Sequence, residues 1–500
     1  MTRSADDLGA GLAAPRAARP IPAGERIHVV GAGGSGASAA ALLAQAAGAR
    51  VSACDTGGPS PYTAALAAAG IAVATEHDAA HVGPPDARQA DRLAVTKALT
   101  AVDPDHPELR AARAAGIPVE AWQQTVADAA ATHGGRLVAV AGTHGKSTTT
   151  GWLVDLLIRA GRDPAAFVGA LLPGGSAGAP AATARWGRGD TFVVEADEYA
   201  GNFRPYHPAL AVLLNAEWDH PDAFADDAAV ADAFAAWLRA GDAGARTLVV
   251  NVGDPGARAV ADRVAPALGR VVRVALDAPG FEAEVRGSRT AAGGLGIAGL
   301  ACGPVDVPVL ALPGRHNAEN ALCVAAAAAA VGVPAGAIAT ALAAFGGVGR
   351  RMEWKGEVRG IAVIDDYGHH PTAIRTTIAA VRERHPGRRV VAVCEPLTYH
   401  RTAAMTEPLG AALATADRVV VVPIWASRDP DRTIASAASV AAAAARHGAP
   451  SAEATDSLDA AVALLAATCR PGDVVLVMGG GASYRVASGL IDRLRADGGG

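Results

Sequence analysis

The chain has 500 residues, which is too long for a single hydrophobic core, so we expect two or three domains. Hydrophobic residues make up 51% of it, the formal net charge is −5 and basic residues are not clustered, which argues against a nucleic-acid or membrane-surface partner. No apolar run makes a convincing membrane-spanning helix. The scattered cysteines predict neither disulfides nor a zinc site, but small buried residues in a reducing compartment: Cys54, Cys302, Cys323, Cys394 and Cys469.

The first 25 residues differ in pattern from the rest of the chain. They contain Asp6, Asp7 and several Pro and Gly without a continuous apolar core, which predicts a disordered tail and not a signal peptide. From residue 26 onward, short apolar runs alternate with Ala-rich helical stretches, as in parallel β-α-β units. We therefore expect an α/β protein with three successive domains, at residues 26–133, 134–346 and 347–500.

The first domain opens with a glycine-rich loop between a strand and a helix. We predict strands at Arg26–Val30 and Arg50–Cys54, the second followed by Asp55. This arrangement is typical of a Rossmann-like domain that binds a pyrophosphate-bearing ligand through the loop, the helix and the acidic residue. A single glycine loop does not specify the ligand, and an NAD-dependent dehydrogenase is one alternative, although it leaves the second domain unexplained. The predicted ligand-binding loop residues are Gly31, Gly33, Gly34, Ser35 and Gly36.

The second domain carries the strongest signal, a glycine–lysine loop that follows a strand predicted at Arg136–Ala141. Backbone amides, the Lys146 ammonium and the Ser147 hydroxyl would surround nucleotide phosphates and Mg²⁺. Val140 stands where the usual motif has its first glycine, so this loop is a shorter variant. The alternative is a glycine-rich turn with an exposed lysine. The residues predicted to bind ATP here are Gly142, Thr143, His144, Gly145, Lys146, Ser147 and Thr148.

Polar residues follow two further strands of the second domain. Glu195 comes directly after the strand Thr191–Val194, and His220 follows the strand Leu210–Leu214. Because the carboxyl ends of parallel strands meet at one edge of a sheet, we predict that both residues bind Mg²⁺ together with Ser147. The alternatives are a helix-capping carboxylate and a structural histidine.

A helix that begins near Asn317 closes the second domain. Asn317 and Asn320 are one turn apart on the same face of this helix. An asparagine amide offers both a donor and an acceptor, which suits the edge of an adenine. A helix N-cap is the alternative interpretation.

The third domain begins after a glycine-rich connector that also carries Arg351. A strand at Ile361–Ile364 precedes Asp366, Tyr367 and His370. An arginine brought from another domain onto a γ-phosphate would stabilise the charge that is transferred and would couple domain closure to chemistry. Arg401, after the strand Arg389–Cys394, is predicted to anchor a substrate carboxylate, with a solvated loop arginine as the alternative.

In order along residues 26–490, these motifs resemble those of the Mur ligase family. The shared motifs are the first glycine loop, Gly-Thr-His-Gly-Lys-Ser, Glu-Ala-Asp-Glu, Asn-x-x-x-Asp-His, His-Asn-x-x-Asn, an Arg-rich connector and Asp-Asp-Tyr-Gly-His-His-Pro. The resemblance implies a central P-loop ATPase-type domain between two Rossmann-like domains. It places a UDP-sugar in the first domain, where His77 and Asp55 would contribute, and ATP in the second. The third domain would bind an amino acid through Tyr367, His370 and Arg401 and close over ATP, which Arg351 and Asp366 would also contact.

The resemblance further implies a cytoplasmic, ATP- and Mg²⁺-dependent ligase of peptidoglycan precursor synthesis. Such an enzyme would phosphorylate the carboxylate of UDP-N-acetylmuramate, and L-alanine would then attack the acyl phosphate. Its partners would be these small molecules, without nucleic acid or membrane insertion, and it would be a monomer or a weak homodimer. The residues that would carry catalysis are Lys146, Glu195, His220, Arg351 and His370.

The chain departs from the family pattern near the amino-acid pocket. Glu395 and Leu397 stand where the family usually has the Gln and His of Gln-Pro-His, so a histidine is missing. Other motifs are similar to the sister ligase that attaches the recycled tripeptide L-Ala-γ-D-Glu-meso-diaminopimelate, which leaves that acceptor as an alternative. An inactive nucleotide-binding scaffold is another, and the intact set of Lys146, Glu195, His220 and Asp366 argues against it.

Overall fold

The structure is a computed structural model that describes residues 3–84, 86–103, 105–173, 180–277, 280, 282–426, 429 and 431–496. The chain divides into two compact units. The first unit comprises Met1–Trp218, Ala223–Ala311 and Glu319–Val348, and the second comprises Asp219–Asp222, Leu312–Ala318 and Gly349–Gly500. The fold is α/β with three sheets, two in the first unit and one in the second, which confirms the predicted fold class.

The first sheet has five parallel strands: β1 (Arg26–Val30), β2 (Arg50–Cys54), β3 (Val73–Ala74), β4 (Arg92–Val95) and β5 (Val119–Ala121). Their order in the sheet is β3-β2-β1-β4-β5, so the strand order reverses beside β1. The first glycine loop leaves the carboxyl end of this strand, which is where open α/β sheets bind ligands. The helices around this sheet are α1 (Ala5–Leu8), α2 (Ser35–Ala46), α3 (Thr63–Ala68), α4 (Lys97–Val102), α5 (Pro107–Ala114) and α6 (Trp122–His133).

The second sheet has ten strands: β6 (Arg136–Ala141), β7 (Ala165–Leu172), β8 (Ala182–Arg185), β9 (Thr191–Ala196), β10 (Leu210–Leu213), β11 (Thr247–Asn251), β12 (Arg270–Leu276), β13 (Val285–Arg289), β14 (Leu295–Ala298) and β15 (Val305–Val307). Strand β6 pairs in parallel with β9 on one side and β10 on the other, so three predicted functional loops leave adjacent strands in the same direction. The helices are α7 (Lys146–Arg159), α8 (Asp227–Arg239), α9 (Pro255–Val264), α10 (Arg315–Ala330) and α11 (Ala335–Ala344).

The third sheet has six strands: β16 (Glu353–Val358), β17 (Ile361–Asp366), β18 (Arg389–Glu395), β19 (Arg418–Val421), β20 (Ala452–Ala454) and β21 (Asp473–Gly479). Their order is β16-β17-β21-β18-β19-β20, and only the pairing of β16 with β17 is antiparallel. The strands β17, β18, β19 and β21 are almost entirely buried and rich in valine, as expected for a sheet that helices cover on both faces. The helices are α12 (Pro371–Arg384), α13 (Tyr399–Leu413), α14 (Ala437–Arg446), α15 (Leu458–Thr468) and α16 (Tyr484–Ala496).

The segment before β1 is held by ion pairs. The Arg16 guanidinium lies 2.7 Å from Glu120 Oε1 and 2.7 Å from the buried Asp128 Oδ2. These contacts order at least the described residues near Arg16, in contrast to the disordered tail predicted for residues 1–25. Across the described part of the chain, no helix has the length and apolar character needed to cross a membrane.

Candidate active site

The phosphate loop joins β6 to α7 at Gly142–Gly145. Gly142 and Gly145 have φ of 146° and 80°, which glycine adopts without the strain that a side chain would bring. A Cβ on Gly145 would also lie 3.1 Å from Asn320 Oδ1. The N-cap residue of α7 is Gly145, which has no side chain to cap the first amides, and amides at a helix start can bind an anion.

The end of the neighbouring strand β10 braces this loop. Asn215 accepts a hydrogen bond from the His144 amide at 3.0 Å and donates to the His144 carbonyl at 3.1 Å. The Thr143 hydroxyl donates to the Glu217 carbonyl and accepts from the Glu217 amide, each at 2.9 Å. Asn215, Thr143 and His144 therefore fix the loop conformation, and this is a structural role of two residues predicted to bind ATP.

Lys146 lies at the start of α7 among oxygen atoms. Its ammonium donates to the Gly142 carbonyl at 2.7 Å and to Glu198 Oε2 at 2.8 Å, and it lies 3.4 Å from Asp197 Oδ1. Burial disfavours the ammonium, but the Glu198 and Asp197 carboxylates outweigh burial and raise the pKa of Lys146. Lys146 is therefore a permanently charged group at the phosphate loop.

Glu198, the partner of Lys146, is 1% exposed. Burial raises the pKa of Glu198, although the ammonium of Lys146 acts in the opposite direction. The buried carboxylate therefore depends on Lys146 to stay ionised, and it would take up a proton if the ammonium turned to a phosphate.

Ser147 and Glu195, two of the three residues predicted to bind Mg²⁺, lie side by side next to the loop. The Ser147 hydroxyl donates to Glu195 Oε1 at 3.0 Å, and the Gly169 amide donates to Glu195 Oε2 at 2.7 Å. A Cβ on Gly169 would lie 2.6 Å from Glu195 Oε1, so a side chain at this position would displace the carboxylate from its present place. A hydroxyl and a carboxylate are hard oxygen donors, so this pair fits Mg²⁺.

The remaining residues predicted for this domain are distributed over both units. Thr148 is buried in the first turn of α7, and Asn320 lies beside Gly145 in the first unit. Asn317 belongs to the second unit, where its amide donates to the Pro313 carbonyl at 2.7 Å. His220 also belongs to the second unit and has a φ of 54°.

The first glycine loop is held from behind by Asp55. Its carboxylate accepts hydrogen bonds from the Gly33 amide at 2.8 Å and the Gly57 amide at 2.7 Å. A Cβ on Gly33 would lie 2.8 Å from the Asp55 Oδ2, and one on Gly36 would lie 2.2 Å from the Trp122 ring. Asp55 thus shapes the loop through the backbone, a role that the sequence did not predict for it. Gly31 has a φ of 83°, and helix α2 begins at Ser35 without a side-chain cap from any described residue, after its N-cap residue Gly34.

The two arginines of the connector have different surroundings. Arg350 is 8% exposed and donates to the Gly479 carbonyl at 2.7 Å, the Ser483 hydroxyl at 2.9 Å and Asp365 Oδ2 at 3.3 Å. The guanidinium of Arg351 lies 4.6 Å from the centre of the Tyr367 ring and is only half-buried. Both guanidinium groups lie over the Tyr367 ring, that of Arg350 at 5.1 Å, but Arg350 in addition joins β17 to the loop after β21 through hydrogen bonds.

Asp366 and His370 border the loop after β17. Asp366 accepts from the Met352 amide at 2.8 Å and from the Gly368 amide at 2.7 Å. His370 is 7% exposed and caps α12, since its Nδ1 accepts from the Thr372 amide at 3.3 Å. This bond places the ring proton of neutral His370 on Nε2.

Arg401 already holds a carboxylate within the second unit. Its Nε and terminal nitrogen donate to the two oxygens of Asp219 at 2.5 and 3.0 Å, and it also donates to the His369 carbonyl at 3.1 Å. Burial opposes ionisation of Asp219, but the Arg401 guanidinium outweighs it and holds the pKa of Asp219 well below its usual range. Arg401 thus forms a bidentate pair with a carboxylate of this chain, whereas the sequence predicted a substrate carboxylate as its partner.

The unusual Glu395 has a structural role. Its carboxylate accepts hydrogen bonds from the Gly481, Ala482 and Ser483 amides at 2.9, 3.0 and 3.1 Å. Leu397 lies beside the same loop, since a Cβ on Gly480 would approach its Cδ1 to 2.7 Å. Glu395 on the amides and Arg350 on the carbonyls thus clamp the loop after β21 from two sides.

Three residues with clear roles in these sites were not predicted. Glu198 stands within the Glu-Ala-Asp-Glu motif, and Asp219 directly precedes His220. Both residues could therefore have been predicted from motifs already identified in the sequence. Gly169 carries no local signal, because its importance comes from the approach of Glu195 from another strand.

Comparisons with known proteins agree with this geometry. Three family models match the chain in succession: the Mur ligase family catalytic domain at residues 26–133, the Mur ligase middle domain at residues 140–328 and the Mur ligase, glutamate ligase domain at residues 350–481. The UDP-N-acetylmuramate–L-alanine ligase of Kineococcus radiotolerans is 40% identical over 458 residues, which cover 91% of this chain and 93% of that relative. The enzyme of the same name from Acidothermus cellulolyticus is 39% identical over 481 residues, or 94% and 95% of the two chains.

Solved structures share the fold at lower identity. The UDP-N-acetylmuramate-alanine ligase of Thermotoga maritima has a TM-score of 0.74 at 23% identity, covering 94% of this chain and 99% of that one. A murein peptide ligase from Psychrobacter arcticus has a TM-score of 0.72 at 24% identity, with the same coverage. Fold, phosphate loop and relatives together define an ATP-dependent ligase. The chain belongs to the Mur ligase family.

Proposed function

We propose that this chain joins L-alanine to the carboxyl group of UDP-N-acetylmuramate in peptidoglycan precursor synthesis in the cytoplasm, with hydrolysis of ATP to ADP and phosphate. The relatives that carry this name are 40% and 39% identical over nearly the whole of both chains. The observation that carries the proposal is the phosphate loop, where Lys146 and the Ser147–Glu195 pair lie at the carboxyl edge of one sheet.

The reaction must activate a carboxylate, which is a poor electrophile because of its resonance and negative charge. A carboxylate oxygen attacks the γ-phosphorus, a new P–O bond forms and the bond to the β-phosphate oxygen breaks, so that ADP leaves. The amine nitrogen then attacks the acyl carbon, the C–O bond to phosphate breaks, and the ammonium formed loses its proton. Both steps depend on positioning and charge neutralisation more than on covalent help from the protein.

The first unit would supply most of that neutralisation. The amides of Gly142–Gly145 and the start of α7 would hold the phosphates, and Lys146 would add a positive charge. Ser147 and Glu195 would hold Mg²⁺, with His220 as the third predicted ligand, and the ion would neutralise phosphate charge when bound. Glu198, which holds Lys146 in this structure, would take up a proton when the ammonium turns to the phosphates.

The other assignments follow from the sequence and are part of the same proposal. The glycine loop after β1 would bind the pyrophosphate of the UDP-sugar in the domain at residues 26–133. Asn317, Asn320 and Asp366 would contact the nucleotide, and Arg351 its γ-phosphate. The amino acid would be positioned in the domain at residues 347–500 by Tyr367, His370 and Arg401, and the last of these would have to exchange or share Asp219.

Phosphate release tests the proposal. With UDP-N-acetylmuramate and ATP present, L-alanine should give the highest kcat/KM among L-alanine, L-serine, glycine and the tripeptide L-Ala-γ-D-Glu-meso-diaminopimelate. Omitting UDP-N-acetylmuramate provides the control for unproductive ATP hydrolysis. A preference for the tripeptide would assign the chain to the recycling reaction. Absence of phosphate release with every acceptor would instead support an inactive nucleotide-binding scaffold.

A further inference from the structure

A cluster of nitrogen, sulfur and oxygen donors lies beside the first sheet, apart from the phosphate loop. Strand β1 contributes one histidine and β2 the cysteine, while the others come from the segment after β3, the turn at Ala79–His81 and the start of α5. Only one of the six, His77, has a predicted role in the ligase reaction. The six residues are His28, Cys54, His77, His81, His106 and Glu108.

Four of these side chains converge on one point. The donor atoms of His28, Cys54, His81 and Glu108 all lie within 4.8 Å of one another. His28 Nε2 is 3.4 Å from both Cys54 Sγ and Glu108 Oε1, and Cys54 Sγ is 3.2 Å from Glu108 Oε1. A tetrahedral zinc ion with bonds of about 2.0–2.3 Å separates its ligand atoms by roughly 3.3–3.7 Å, so these three separations are already close to those of a metal site.

The fourth ligand needs a small adjustment. His81 Nδ1 is 2.6 Å from Glu108 Oε1, a hydrogen-bond distance that would have to lengthen when both atoms bind an ion. The His81 side chain is 22% exposed and belongs to a three-residue turn, so it can move without disturbing a core. Its exposure also gives an ion a path from solvent to the buried donors.

Charge and orientation favour an ion at this point. Glu108 is fully buried, and a divalent cation bound by its carboxylate and the Cys54 thiolate would leave no net charge in the interior. His28 Nδ1 is 2.8 Å from the Ser52 hydroxyl. A hydrogen bond from Nδ1 to that hydroxyl leaves Nε2 as the ligand atom, which is how outer partners orient metal-binding histidines.

His106 provides an independent observation on the other side of Glu108. This histidine is 3% exposed, and neither ring nitrogen has a hydrogen-bond partner in the described part of the chain. Its Nδ1 points at Glu108 Oε2 from 3.7 Å, where His77 Nδ1 also lies at 3.6 Å. Buried polar atoms are rarely left unpaired in native proteins, so the hydrogen bonds of the cluster alone do not satisfy it.

We propose that His28, Cys54, His81 and Glu108 bind one Zn²⁺ ion or a chemically similar transition-metal ion. Imidazole and thiolate donors suit zinc, whereas Mg²⁺ prefers oxygen donors such as the Ser147–Glu195 pair. The ion would link β1, β2 and α5 of the first domain. Local spacing could not predict this site, because its four ligands come from four separate segments, and the cysteines alone argued against zinc.

The test uses the full chain after removal of metal with a chelator, in the presence of excess Mg²⁺ to occupy oxygen-donor sites. When Zn²⁺ is then added and the excess is removed by desalting, one equivalent of Zn²⁺ per chain should remain bound. When Co²⁺ is added instead, thiolate-to-cobalt charge-transfer absorption should appear. Cys54→Ser should abolish that absorption and weaken zinc binding at least tenfold. Cys302→Ser, which removes a half-buried cysteine outside the cluster, is the matched control and should change neither.

Two further variants keep the test decisive if Cys54→Ser folds poorly. His81→Gln removes a ligand from a partly exposed turn and should weaken zinc binding at least tenfold with an unchanged circular-dichroism spectrum. Ser52→Ala removes the partner that orients His28 and should weaken zinc binding by about 10–100-fold. The proposal is overturned if no zinc is retained and no cobalt–thiolate absorption appears, or if His81→Gln binds zinc as tightly as the original chain.

Discussion

In the first unit, Lys146 stands at the start of a helix whose N-cap residue, Gly145, has no side chain, and its partners are two carboxylates and loop carbonyls. In the second unit, Arg350 stands in a similar glycine-rich stretch, but its guanidinium is buried among Asp365, Ser483 and the loop after β21. The charge of Lys146 therefore lies where a ligand can bind, whereas the hydrogen bonds of the Arg350 guanidinium go to groups of the fold itself.

The same contrast recurs between neighbours in the second unit. Arg350 and Arg351 are adjacent in sequence and both lie over the Tyr367 ring, but Arg350 also connects β17 to the loop after β21 through hydrogen bonds. Glu395 and Arg401 also bind groups within the unit: Glu395 accepts hydrogen bonds from three backbone amides, and Arg401 donates to Asp219. A charged residue in a functional motif can therefore serve either the ligand or the fold, and only its contacts distinguish the two roles.

Lys146→Ala tests the ligand side of this comparison and should have the largest effect. We expect kcat to fall about 10³-fold, because a fixed positive charge is lost from the transferring phosphate. The fold should survive, since burial favours the neutral form of Glu198 and the carboxyl group can take up a proton when its partner is removed. Phosphate release and circular dichroism are the measurements, with Lys355→Ala as the matched control. A variant with native circular dichroism and near-normal phosphate release would refute the phosphate-loop assignment.

The sequence was sufficient to predict the strands that carry the sites but not the pairing of charged groups. The predicted strands Arg26–Val30, Arg50–Cys54 and Arg136–Ala141 agree with β1, β2 and β6. Apolar runs that end at a glycine loop mark β1 and β6, which are buried over their last four residues, whereas β2 is buried only at Ala53 and Cys54, next to the acidic residue that follows it. The proximity of Ser147 and Glu195 could be predicted, because the carboxyl ends of parallel strands lie at the same edge of a sheet. The pairing of Arg401 with Asp219 could not be predicted, because it joins residues 182 positions apart and depends on side-chain geometry.

Arg350→Ala tests the fold side of the comparison, with Arg351→Ala as its matched control. Removing Arg350 leaves Asp365 and the carbonyls after β21 without their partner in a buried site, which should cost about 3–5 kcal/mol in the free energy of opening of the third sheet. Arg351→Ala should cost about 1 kcal/mol, mainly the contact with Tyr367, and should instead lower kcat. Hydrogen exchange of the amides in β17 and β21 measures the first effect and phosphate release the second. Equal losses of stability in both variants would contradict the assignment of a structural role to Arg350 and a catalytic role to Arg351.

Asp365→Asn sharpens the comparison through pH, and its effect on stability should be smaller than that of Arg350→Ala. Burial raises the pKa of Asp365 to about 6, although the Arg350 guanidinium opposes this shift. The folded protein therefore binds the Asp365 proton more tightly than the unfolded chain, in which the pKa is about 4. As a result, the contribution of Asp365 to stability is fully present below pH 4 and is lost as the pH rises through 6. Asparagine cannot ionise, so the stability of the variant relative to the original chain should rise by on the order of 3 kcal/mol from pH 4 to pH 7 and stay constant above it. Hydrogen exchange of β17 amides at several pH values, corrected for intrinsic exchange rates, measures this difference while titrations common to both proteins cancel. A difference that does not vary with pH would mean that Asp365 stays ionised beside Arg350 throughout, and that their pairing outweighs burial.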